Sequence, residues 1–63
     1  MRTLFDVQQL LKRFGTFIYL GDRNADIEMM EEEIKDLYKN GLISSEEYTQ
    51  VLLVLKKERK DMG

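Results

Sequence analysis

Residues 14–23 read Phe-Gly-Thr-Phe-Ile-Tyr-Leu-Gly-Asp-Arg, and this stretch interrupts an otherwise helical chain. It holds three of the six aromatic side chains and two of the four glycines. Connections between helices are usually polar, because Gly, Asn, Asp and Ser suit turn geometry and exposed backbone. An apolar, aromatic connection therefore either folds back into the core or presents its rings to a ligand.

Helical patterns flank this stretch on both sides. Each of three segments repeats apolar side chains at helical spacing, and each is bounded by residues that begin or end helices. The first helix is predicted to begin at Thr3 and to end at Gly15. The second is predicted to begin after Asp22 or Asn24 and to end at Asn40-Gly41, and the third to begin at Ser44 or Ser45. The predicted apolar stripes are Leu4, Val7, Leu10, Leu11 and Phe14; Ile27, Met30, Ile34, Leu37 and Tyr38; and Tyr48, Val51, Leu52 and Leu55. The pattern predicts an all-α fold, a compact three-helix bundle made by residues 1–63 as a single domain.

Composition excludes most kinds of catalytic site. The 63 residues include no His and no Cys, so Ser-His pairs, Cys-His pairs and His-based metal sites are absent. Gly15 and Gly21 are six residues apart and do not form a phosphate-binding loop. We therefore predict a protein that is not an enzyme, with no catalytic residue, no metal site and no cofactor.

The same composition bears on setting and stability. The absence of Cys gives no sign of an oxidising compartment, and the longest aliphatic run, residues 51–55, is too short to cross a bilayer. We predict a cytoplasmic protein that does not enter a membrane. A chain this short buries only about 60% of the surface that its unfolded form exposes, so self-association is an expected source of added stability.

Charge is segregated along the chain, although the formal net charge is only −2. Residues 1–23 contain four basic and two acidic side chains, and residues 48–63 contain the same numbers. Residues 24–47 contain eight acidic and two basic side chains. A small net charge can therefore coexist with local basic surfaces, although solvated helix faces also explain the pattern.

The aromatic stretch and its flanking cations form a candidate nucleic-acid interface. Single strands are bound by aromatic faces that stack on bases and by cations that follow the phosphates. The candidate residues are Lys12, Arg13, Phe17, Tyr19 and Arg23. The competing interpretation packs Phe14, Phe17, Ile18 and Leu20 across the bundle as core. It is favoured for Phe14, Ile18 and Leu20, whereas Tyr19 and Arg23 fit either interpretation.

A protein-interaction surface is the alternative function. Phe5, Met29 and Leu53 each lie off the main apolar stripe of their helix, which leaves one large apolar side chain facing away from each stripe. Glu28, Glu32 and Asp36 recur every four residues and so share one face of the second helix. These six residues predict contacts with a second copy of the chain or with a basic protein partner.

Three blocks of sequence carry a family resemblance. They are Phe5–Lys12, Phe14–Arg23, and Glu33–Tyr38 followed by Gly41-Leu42-Ile43. Together they resemble the YqgQ-like family of short Firmicute proteins of unknown function, and the resemblance covers essentially the whole chain. It implies a small three-helix bundle and a cytoplasmic setting, and it supplies no catalytic residue.

Overall fold

The computed structural model describes the backbone of residues 1–60 and the side chains of residues 1–59. Its helices are α1 (Leu4–Lys12), α2 (Arg23–Lys39) and α3 (Ser45–Lys60). Each of these helices packs against the other two. The prediction of an all-α three-helix bundle is therefore confirmed.

Side-chain caps fix the starts of the helices. At α1, the Asp6 amide donates to the Thr3 hydroxyl at 3.3 Å, and the Thr3 amide donates to the Asp6 carboxylate at 3.2 Å. The same reciprocal pair recurs at α3, where Ser44 and Glu47 are joined at 3.0 and 3.1 Å. At α2, the Asp22 carboxylate accepts from the amide of Asn24 at 3.1 Å. Of the predicted alternatives, Asp22 and Ser44 are thus the cap residues. Each such cap contributes about 1 kcal/mol to stability.

A glycine after α1 turns the chain into the aromatic stretch. Gly15 has φ of +81°, which residues with a Cβ rarely adopt. The amide of Thr16 donates to the Leu11 carbonyl at 3.0 Å, and the amide of Gly15 donates to the Lys12 carbonyl at 3.0 Å. This pair of bonds is a Schellman motif, which satisfies the last carbonyls of the helix. The same pattern follows α2, as Asn40-Gly41 predicts.

The core draws on all the helices and on both connections. Buried side chains come from α1 (Val7, Leu10, Leu11), α2 (Ile27, Met30, Ile34, Leu37), α3 (Val51, Val54, Leu55) and the connections (Ile18, Ile43). Each connection therefore inserts one isoleucine between the helices. This tethers the chain on either side of α2.

Three residues predicted to face the core lie at the surface. The Phe14 side chain is 38% exposed, that of Tyr38 is 42% exposed and that of Leu20 is 60% exposed, so their assignment to the core is wrong. Phe14 leaves the apolar stripe because α1 ends at Lys12, two residues before it. At Leu20 it is the backbone that faces α2, since its amide donates to a side chain of that helix.

Candidate nucleic-acid interface

Residues 16–19, between α1 and α2, alternate between inward and outward side chains. Thr16 is half-buried and Ile18 is only 8% exposed, whereas Phe17 is 74% exposed and Tyr19 is 83% exposed. Alternation of this kind is typical of extended backbone, in which successive side chains point to opposite sides. The two rings therefore lie in solvent, and Ile18 is the residue of this stretch that enters the core.

Hydrogen bonds from both neighbouring helices hold the backbone of this segment. The Gln8 amide group on α1 donates from Nε2 to the Ile18 carbonyl at 3.4 Å. The Leu20 amide donates to Asp26 Oδ1 on α2 at 2.6 Å. The stretch is thus fixed one residue before and one residue after Tyr19.

Asp26 has a role that the sequence interpretation missed. The sequence favours it as an acidic residue in the first turn of α2, where carboxylates interact well with the helix dipole. In the structure it is only 6% exposed, and its carboxylate accepts the Leu20 amide. A signal was present, because Asp26 lies one turn before Met30 and therefore on the apolar side of its helix. A carboxylate in that position needs a buried donor.

Two cations lie beside the exposed rings. Lys12 Nζ is 5.9 Å from the centroid of the Phe17 ring, within the range of about 6 Å over which cations and aromatic faces attract each other. Arg23 lies on the other side of Tyr19, at the start of α2. Its Nη1 contacts Glu58 Oε2 of α3 at 3.1 Å. Lys12, Phe17, Tyr19 and Arg23 are called the aromatic face below.

Two shallow depressions make the aromatic face one continuous surface. One, of about 220 Å³, is lined by Leu4, Gln8, Tyr19, Gly21, Arg23 and Asp26. The other, of about 200 Å³, is lined by Gln8, Gln9, Lys12, Thr16, Phe17, Ile18 and Tyr19. Gln8 and Tyr19 line both, so the two depressions adjoin at these residues. Both are smaller than the roughly 300–1,000 Å³ of ordinary small-molecule pockets, which suits a ligand lying along the surface.

Arg13 lies apart from the other predicted nucleic-acid contacts. Its side chain is exposed, and it lines a separate depression together with Asp6 and Glu47. Gln9 borders this depression and also the one that contains Phe17. The structure therefore brings together four of the five predicted residues and places Arg13 across Gln9 from them.

The residues of the alternative surface are exposed but spread over three helices. Phe5 is 62% exposed, Met29 is 47% exposed and Leu53 is 63% exposed. Leu53 lines a depression of about 280 Å³ with Met1, Arg2, Gln50, Val54 and Lys57. Phe5 lines neither depression of the aromatic face. The acidic side chains Glu28, Glu32 and Asp36 are exposed along α2, as predicted for one solvent-facing side of that helix.

Within residues 1–60, no helix has the length and apolar character that crossing a bilayer requires.

Comparison with known proteins gives a consistent relationship. The family model described as YqgQ-like matches residues 1–61. A curated relative, the uncharacterized protein YqgQ of Bacillus subtilis (strain 168), is 50% identical over 58 residues. That alignment covers 92% of this chain and 82% of the relative.

Proposed function

This chain belongs to the YqgQ-like family, and we propose that it is a small binding module, not an enzyme, that engages single-stranded nucleic acid through the aromatic face. The observation that carries the proposal is the outward placement of Phe17 and Tyr19 between two cations. Burying these rings in the core would have removed the reason to expect a ligand there.

Stacking on unpaired bases is the interaction that this arrangement fits. Side chains two residues apart on extended backbone are separated by about 6.6 Å, so Phe17 and Tyr19 offer two neighbouring platforms. Each base stacked on an aromatic ring contributes about 1–3 kcal/mol, and every base has a face to offer. A duplex keeps those faces covered by neighbouring base pairs. The proposal is therefore specific for single strands.

The cations provide an electrostatic component of modest size. Lys12 and Arg23 flank the rings, and the chain as a whole carries a net charge of −2. For each phosphate contact to a single strand, a tenfold rise in salt concentration lowers the logarithm of the affinity by about 0.7. Full phosphate contacts from both cations would give a slope of about −1.4, which is the limit for this surface. Such a module depends on stacking more than on bulk charge.

A cytoplasmic setting without catalysis is part of the same proposal. The sequence lacks the His and Cys side chains on which most nucleophilic and metal-assisted mechanisms depend. A chain without Cys also suits a reducing compartment.

Fluorescence anisotropy of a labelled oligothymidylate tests the proposal, measured at low and at physiological salt. Replacing Tyr19 with Ala should weaken binding about 5- to 150-fold, the equivalent of about 1–3 kcal/mol for one lost stacking ring. Phe5→Ala is the matched control, because it removes an exposed ring that lies outside both depressions. No binding at low salt would refute the proposal. Equal losses in both variants would refute the assignment of the site.

A protein-interaction role is the second candidate, and the surroundings of Leu53 favour it. This exposed leucine lies in a depression bordered by the cations Arg2 and Lys57, which suits a partner surface that carries both acidic and apolar side chains. The exposed carboxylates of α2 at Glu28, Glu32 and Asp36 would supply that surface in a second copy, or would receive a basic protein. Leu53→Asp should then reduce the sedimentation mass to that of a monomer. An unchanged mass with the fold retained would exclude Leu53 as the contact.

A further inference from the structure

We infer that Glu58 of α3 limits the affinity of the aromatic face by occupying the guanidinium of Arg23, so that an incoming phosphate must displace it. This inference rests on the proposed function and adds a residue that the sequence interpretation left out. Arg23 Nη1 and Glu58 Oε2 are 3.1 Å apart, across 35 positions of sequence.

The geometry makes Glu58 a fixed competitor. Its side chain is 17% exposed and belongs to a packed helix, whereas the Arg23 side chain is 52% exposed and borders the depression that holds Tyr19. A carboxylate and a phosphate present the same kind of anionic oxygen to an arginine. The carboxylate of Glu58 therefore accepts a hydrogen bond from the guanidinium that a phosphate beside Tyr19 would otherwise receive.

The contact also has a reason to exist in the free protein. Arg23 is the first residue of α2, where the helix dipole opposes a positive charge. Glu58 offsets that opposition by placing a negative charge against the guanidinium. Loss of the carboxylate charge would leave Arg23 more available to a ligand.

The chain offers a matched control for this ion pair. Arg59 Nη2 contacts Glu31 Oε2 at 3.0 Å, and the Arg59 side chain is 49% exposed, close to the value for Arg23. This second pair also joins α2 to α3, but neither residue belongs to the aromatic face. Glu31→Gln and Glu58→Gln therefore change the net charge equally and each weakens one helix-to-helix ion pair.

The test is the salt-dependent affinity for labelled oligothymidylate of the wild type, Glu58→Gln and Glu31→Gln, with melting curves to confirm that each protein is folded. Glu58→Gln should bind about two- to fivefold more tightly than Glu31→Gln, the range expected when an exposed ion pair no longer competes. Its salt slope should be steeper by up to about 0.7, the contribution of one phosphate contact. In an Arg23→Ala background, Glu58→Gln should raise the affinity for oligothymidylate no more than Glu31→Gln does. The two variants then differ from their parent only in net charge, because the competition acts through Arg23.

The possible results distinguish the role of Glu58 from the proposed binding of single strands. Equal affinities for Glu58→Gln and Glu31→Gln, with the wild type still binding, would overturn the role of Glu58 and leave the proposed function standing. A gain from Glu58→Gln that persists in full without Arg23 would also overturn it. Absence of binding by all of these proteins at low salt would refute the proposed function, and the role of Glu58 with it.

Discussion

Asp26 is the residue whose replacement tests most sharply how the aromatic face is held. Asp26→Ala removes the acceptor of the Leu20 amide, a hydrogen bond of 2.6 Å to a side chain that is only 6% exposed. Hydrogen bonds to charged groups contribute about 1.5–3 kcal/mol to stability. For a domain of this size, about 1 kcal/mol corresponds to a shift of roughly 4–8 °C in Tm. The Tm of Asp26→Ala should therefore fall by about 6–24 °C.

Asp26→Asn removes the charge of this side chain and keeps an acceptor oxygen in a side chain of nearly the same shape. The Asn oxygen can still accept from Leu20, so this variant should retain a neutral hydrogen bond of about 0.5–1.5 kcal/mol and melt between the wild type and Asp26→Ala. Melting followed by circular dichroism gives the order of stability, and hydrogen exchange of the Leu20 amide reports the bond itself. An Asp26→Ala protein that melts within about 2 °C of the wild type, with Leu20 still protected, would refute this reasoning.

Further consequences of the structure can be checked by the same melting experiments. Gly15→Ala should lower the free energy of unfolding by about 1 kcal/mol, because φ is +81°. The cause would be backbone strain alone, since an added Cβ would meet no atom within 4 Å. An unchanged Tm would show that the turn after α1 adapts. Ile18→Val should lower the free energy of unfolding by about 0.5–1.5 kcal/mol, since the side chain is buried. A change close to zero would mean that Ile18 is exposed. The amides of Arg2 and Thr3 donate to Asp6 and hold the pKa of its carboxyl below its ordinary value. The stabilisation from Asp6 is therefore complete above that value and disappears as pH falls through the lowered pKa, so Asp6→Asn should flatten the acid limb of a stability–pH profile.

The parts of the fold that the sequence predicted well depend on local interactions. Thr3 with Asp6 and Ser44 with Glu47 lie three residues apart, so residue type and spacing predict a cap at Thr3 and narrow the other cap to Ser44 or Ser45. Gly41 after α2 is equally local, because a left-handed backbone conformation favours glycine whatever surrounds it. Such signals fixed the number and order of the helices.

The parts that the sequence missed depend on contacts between distant residues. Leu20 is exposed, and its backbone amide is attached to Asp26 of α2. Val54 is a different kind of omission, because it is only 6% exposed and lies three residues after Val51, where helical spacing already predicts an apolar position. The rings of Tyr38 and Tyr48 are predicted on stripes of different helices, yet they stack in parallel with centroids 4.3 Å apart. Tyr38 is exposed and Tyr48 is half-buried against the core, so the pair lies at the edge of the core.

The candidate site shows the same division. Composition pointed to Phe17, Tyr19 and their flanking cations, but the sequence could not decide between core and surface for these rings. The structure decides it, because both rings are exposed on either side of the buried Ile18. The contact between Arg23 and Glu58 spans 35 positions and had no local signal in the sequence.

Titration of isotopically labelled protein with a short oligothymidylate, followed by NMR chemical shifts, tests the central claim most directly. Binding through the aromatic face should move the amide signals of residues 16–20 and those of Lys12 and Arg23, while signals around Leu53 and along the exposed side of α2 stay in place. The shifts should shrink as salt is raised, because phosphate contacts are released. Shifts confined to the Leu53 surface, or no shifts at low salt, would contradict the assignment of this face to single-stranded nucleic acid.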